Sequence, residues 1–147
     1  MLVLAALLVA GQAVARPSDE GVEEALPARD ECSAVQVTSP QQQGLHAVFS
    51  ASRVYDLHFR TILGGTPEGP HLLELRLYTP NGHLYQVLSV PFTGRHGARR
   101  EPSASATLPV AGTAIMTSSL YGRWRVEPHL DGSPVPCGRS RIFVIQQ

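Results

Sequence analysis

The sequence predicts an all-β fold, an antiparallel β-sandwich of roughly seven to nine strands. Three observations carry this. Past the first thirty or so positions, short apolar/polar runs are cut at regular intervals by Gly, Pro and Asn/Asp clusters. No window beyond residue 15 carries an apolar stripe at helical spacing. Two dipeptides that supply positive φ cheaply, Asn81-Gly82 and Asp131-Gly132, each sit between alternating segments, as hairpin turns require.

The elements follow in order. "SAVQVTS" (33–39) reads as a first short strand stopped by Pro40, and "LHAVFSA" (45–51) as a second. "VYDLHFRTIL" (54–63) sets Tyr55, Leu57, Phe59, Thr61 and Leu63 against Asp56, His58 and Arg60, the period of two of a half-buried strand. "HLLELRLYTPNGHLYQVLSVPF" (71–92) reads as two strands about Pro80-Asn81-Gly82, with Leu73, Leu75 and Leu77 facing inward. "TGRHGARREPSASA" (93–106) is expected to be a polar loop. Strands are expected around Leu108–Val110 and Ala114–Ser118. "LYGRWRVEPHLDG" (120–132) alternates strictly from Arg123: Trp124, Val126, Pro128 and Leu130 on the core side, Arg123, Arg125, Glu127 and His129 on the other. "RSRIFVIQQ" (139–147) closes the sheet. Short strands without helices between them exclude a βαβ fold, and about 115 residues of this pattern match an immunoglobulin-like sandwich.

The amino terminus is read apart from the fold. "MLVLAALLVAGQAVA" is uncharged, its apolar run from Leu2 to Ala10 is shorter than the roughly 20 residues of a membrane span, and small residues stand at Ala13 and Ala15. Residues 1–15 are therefore expected to be a secretory signal peptide, although no Lys or Arg precedes the run. Residues 16–31 form an acidic flexible leader with two Pro and few large apolar groups, and residues 32–147 the sandwich domain. Twelve Arg and no Lys balance twelve acids. Six of those acids and two of the Arg fall within residues 16–32, so a leader of charge −4 precedes a body of charge +4.

The two cysteines, Cys32 and Cys137, fit export: an even count in an exported chain is read as a disulfide. Each precedes a strand, the first and the last. In many immunoglobulin-like sandwiches those strands run side by side and parallel, which brings their starting ends together. Antibody domains instead bridge mid-strand positions and carry an early Trp, whereas Trp124 lies late. The closing region "LPVAGTAIMTSSLYGRWRVEPHLDGSPV…RIFVI" resembles the last half of bacterial extracytoplasmic immunoglobulin-like modules, in which a Gly precedes a Trp strand, an Asp-Gly hairpin follows and an apolar strand closes the sheet. The resemblance covers roughly 40 residues of architecture and implies a fold and an envelope setting. It carries over no catalytic or ligand residue, because fold alone does not give function.

The chemistry-bearing residues favour a plain reading. Six His (His46, His58, His71, His83, His96, His129) and Met116 supply copper-type ligands, but no pair has ligand spacing. Asp56-x-His58-x-Arg60 shares one strand face at a spacing of about 7 Å, too far for direct proton transfer. No GxSxG motif is present. The cluster Arg95, Arg99, Arg100 and the later Arg123, Arg125, Arg139 and Arg141 sit in a chain of zero net charge, which argues against nucleic acid. The expected protein is a periplasmic or secreted, non-enzymatic binding or assembly module of the cell envelope. It has no cofactor and no membrane span in its mature chain, and its partner is another envelope protein. The alternative is a copper-type or accessory domain of an envelope redox system. The row Arg123/Arg125/Glu127/His129 is expected to be the wet outer face, paired with Asp56, Arg60, Glu74 and Arg76. If it does more, it docks a protein, with Tyr78, Tyr85 and Tyr121 at hand.

Overall fold

The computed structural model describes residues 31–42, 47–95, 97 and 99–147. The expected signal peptide, all of the leader except Glu31, and His46 and His96 lie outside the described residues. The described residues form eight strands and one short helix: β1 (Gln36–Thr38), β2 (Val48–Ser50), β3 (Asp56–Ile62), β4 (Gly69–Tyr78), β5 (Leu84–Gly94), β6 (Ser103–Pro109), α1 (Ala114–Thr117), β7 (Gly122–Leu130) and β8 (Arg141–Gln146). They make two sheets, β1-β3-β6 and β2-β8-β7-β4-β5. This is an all-β immunoglobulin-like sandwich.

Period-two alternation builds the core. Leu73, Leu75 and Leu77 of β4 and Trp124 and Val126 of β7 are buried on one sheet, Leu57 and Phe59 of β3 and Leu108 of β6 on the other. The rings of Phe59 and Phe143 meet edge to face between the sheets, centroids 5.6 Å apart. Gly82 (φ 82°) turns the β4–β5 hairpin, and Asp131 (φ 51°) with Gly132 (φ 72°) ends β7. Pro128, which cannot donate to a ladder, lies past the end of the β8 pairing, and its carbonyl accepts from Cys137 N at 2.9 Å.

Four expectations are corrected. Ala114–Thr117 is helical, not a strand: the Thr113 side chain caps Ile115 N, and Ile115 is the turn's one buried residue. The expected loop 93–106 is partly ladder, because Thr93 and Gly94 finish β5 and Ser103 to Ala106 pair with β3. Tyr55 precedes β3 and is 65% exposed. The first and last strands are not neighbours. β1 pairs antiparallel with β3, and the parallel neighbour of β8 is β2.

Cys32 and Cys137 are nonetheless bonded, with Cα atoms 5.2 Å apart, inside the range of about 4.4–6.8 Å that a disulfide allows. What brings them together is the connection between β7 and β8, not adjacent strands. Cys32 N donates to Cys137 O at 2.9 Å, so the chain before β1 runs against the segment before β8. Gly138 permits this approach: a Cβ there would lie 2.5 Å from Cys32 O. The bond ties the start of the three-stranded sheet to the five-stranded one.

Candidate functional site

The outer face of the five-stranded sheet is the distinctive surface. β7 sets Arg123, Arg125, Glu127 and His129 on it, and the ladder with β4 fixes what stands beside them: Arg125 opposite Tyr78, Glu127 opposite Arg76, His129 opposite Glu74. The Arg125 guanidinium lies 4.3 Å from the Tyr78 ring centroid, and Arg125 also pairs with Glu127 on its own strand. Arg76 Nη2 pairs with Glu74 Oε2 at 3.0 Å. The centre is thus a patch of alternating charge with one aromatic ring.

Apolar residues flank it on both sides. β8 and β2 present Ile142 and Val48; β4 and β5 present Leu72, Val87 and Leu84. Of the six exposed large hydrophobic residues among those described, these are five; Tyr55 is the sixth. The outer face of the three-stranded sheet differs. Its rows are Gln36, Arg60, Ser105 and Thr38, His58, Thr107, an ordinary wetted surface.

The expected docking row is therefore assembled except at one end. Arg123 is exposed and Arg125 and Glu127 half-buried, but His129 is 2% exposed and is no part of an accessible face. The loop after β7 covers it: His129 Nδ1 donates to Ser133 O at 2.9 Å, and Pro136 bridges to His129. Burial lowers the His129 pKa below its usual value. The hydrogen bond to the Ser133 carbonyl and the Glu74 carboxylate act in the opposite sense, the Arg76 guanidinium adds to the lowering, and burial is the largest effect. Of the expected neighbours, Glu74 and Arg76 stand beside the row, whereas Asp56 and Arg60 belong to the other sheet. Tyr78 is on the face; Tyr85 packs edge-on against Trp124 and Tyr121 against the core. Arg95, Arg99 and Arg100 are exposed, as are Arg139 and Arg141 before and at the start of β8.

A second cluster was missed in the sequence. His71 Nδ1 lies 2.7 Å from Asp131 Oδ2 and Nε2 2.9 Å from Pro67 O, beside a cleft of about 340 Å³ that Glu31 also lines. Carboxylate and carbonyl oxygens only accept, so both ring nitrogens must donate and the imidazolium is favoured. The bond to Asp131 raises the His71 pKa, and Leu72 N, donating to Asp131 Oδ1 at 2.8 Å, lowers that of Asp131. A raised His pKa gives stability that is full below the unfolded value of 6.5 and lost as pH rises through the folded one. Asp131 adds stability above 3.8 that is lost as pH falls through its folded value, and His129 costs stability as pH falls below 6.5. Urea midpoints from pH 5 to 9 should show His71→Gln losing most at the acid end and converging on the wild type as pH rises. A constant gap at every pH would show that the ring is not held as a cation.

Among the described residues no three His, Cys, Asp or Glu side chains gather as a metal-ligand set. His58 and His83 are exposed, and Met116 packs against the core. No helix among the described residues is long and apolar enough to cross a membrane.

No family model matches the chain, and no curated protein does. Solved structures similar to it include an immunoglobulin-like protein of Pseudomonas aeruginosa, at 18% identity and a TM-score of 0.47, over 82% of this chain and 100% of the other. An alkylpurine DNA glycosylase of Pseudomonas fluorescens, bound to DNA, aligns at 15% identity and 0.45, over 82% of this chain and 32% of the other. A protein assigned as a β-galactosidase of Bacteroides fragilis aligns at 12% and 0.39, over 77% of this chain but 16% of its own length.

Proposed function

We propose that the chain is an exported, non-enzymatic binding or assembly module that docks a protein of the cell envelope through the outer face of its five-stranded sheet. The observation that carries this reading is the gathering of five of the six exposed large hydrophobics on that one face, around the Arg125–Tyr78 stack. Apolar side chains interleaved with Arg and Tyr are what protein interfaces use, and a solvated sheet face has no need of them. Export is supported by the Cys32–Cys137 disulfide, since such bonds persist in oxidising compartments. The non-enzymatic reading is supported by the separation of Asp56, His58 and Arg60, on the polar face of the smaller sheet, from the residues of the larger face.

Immobilised protein should capture a partner from envelope extract, and Val87→Glu or Ile142→Glu should abolish capture. Both residues are exposed, so the unfolding free energy should stay within about 0.5 kcal/mol of the wild type. Capture that survives both substitutions would show that this face is not the docking surface.

A further inference from the structure

We infer that the protein seated on this face is a second copy of this chain, related by a two-fold axis that runs along the strands between β7 and β4; the inference rests on the docking reading above. A two-fold contact needs a surface complementary to itself. The strand registers supply one. The axis lays β7 of one copy over β4 of the other, and β8 over β5, without changing level along the strands. Residues level with one another within a sheet then face one another across the interface. Arg125 faces Tyr78 of the second copy, and Glu127 faces Arg76. Ile142 is level with Arg125, and Leu84 with Tyr78, so these two exposed apolar residues also meet.

An axis across the strands at the level of Glu127 fails the same test, because it sets Glu127 on Glu127 and Arg76 on Arg76. The first axis joins cation to ring, carboxylate to guanidinium and apolar to apolar, and does each twice. The axis overlaps four strands, β8, β7, β4 and β5, and leaves β2 uncovered. Four strands about 4.8 Å apart, covered over about seven residues of about 3.4 Å each, give roughly 450 Å² per copy and roughly 900 Å² in all, the size of a weak, transient contact. An interface of that size, with charge at its centre, should form only at high protein concentration, on the order of 100 μM or above, and weaken with salt.

Sedimentation equilibrium of the purified, disulfide-intact protein tests this. A monomer–dimer equilibrium is expected, weaker in high salt. Arg76→Glu alone should weaken the dimer about tenfold or more, because it places a carboxylate over Glu127. Adding Glu127→Arg should restore it, because the charges across the axis are opposite again. Ile142→Glu, at an exposed position, should weaken the dimer independently of the charge pair. A monomer at every concentration overturns the inference. The docking reading then stands only if extract capture is lost in the Ile142→Glu protein, and both fall if nothing is captured. A dimer indifferent to all these substitutions also overturns it, and would place the contact elsewhere, such as the uncharged outer edge of β5.

Discussion

Trp124→Ala is expected to lower the unfolding free energy by about 3–5 kcal/mol, read as a fall in the urea midpoint at unchanged slope. Three losses combine. The indole is fully buried, so its removal forfeits apolar burial and leaves a cavity in a sandwich core that can collapse only in part. Its ring is flanked by Tyr85, edge-on at 5.1 Å, and by Phe143, stacked at 6.3 Å, and both lose a partner. Its Nε1 donates to Leu120 O at 2.9 Å, and Leu120 N donates to Ile115 O, so the indole also holds the turn that joins α1 to β7. Trp124→Phe separates these contributions. It keeps most of the apolar volume but leaves Leu120 O without its donor, and should cost less than the Ala variant. A midpoint unchanged in the Ala variant would put Trp124 outside the core, and would turn the phase of β7 and the docking face around with it.

That phase is the part of the molecule the sequence states most clearly. From Trp124 to Leu130 every second residue is apolar, and all four of those residues are buried. The β4–β5 hairpin was legible for the same reason, with Asn81-Gly82 as its punctuation. What escaped was set by partners distant in sequence. α1 has four residues, too few to show a period, and its signal is the single cap Thr113. β2 has three residues, and its parallel pairing with β8 comes from a non-local match that no local pattern encodes. His129 keeps the alternation yet is buried, because its cover comes from Ser133 and Pro136 beyond the turn.

The candidate site divides along the same line. Its β7 row could be read directly. The β4 half, Tyr78, Arg76 and Glu74, could be named as nearby residues but not assigned a level until the register was known. The apolar flanks were the least visible. Ile142 lies in a run apolar at every position from 142 to 145, and Val87 in a strand whose register shifts near its start, so in neither does sequence say which residues face out. The same register that builds the face selects the symmetry axis inferred for it.

Opening the Cys32–Cys137 disulfide should be the other large perturbation. It closes a loop with a sequence separation of 105, for which the chain-entropy model gives a stabilisation of up to about 4.7 kcal/mol. Much of that acts through the unfolded chain, whose freedom the cross-link restricts. A native-state share is also expected here. Apart from Cys32 N to Cys137 O, the hydrogen bonds of the segment around Cys32 run to the end of β3: Ser33 N to Ile62 O, Ile62 N to Ser33 Oγ and Thr61 Oγ1 to Ser33 O. β1 has three residues and a single strand neighbour, β3. Without the disulfide, residues 31–38 should fray first, and the Cys32→Ser/Cys137→Ser protein should show faster amide exchange at Val35 and Val37 than at Leu75 or Val126. Those last two sit in β4 and β7, which are paired on both sides and should keep their protection until global unfolding. The expected result is therefore a lower urea midpoint together with a local loss of protection confined to β1. Uniform loss across both sheets would show that the bond acts on the unfolded state alone. An unchanged midpoint would show that β1 and its contacts hold the amino-terminal edge without it.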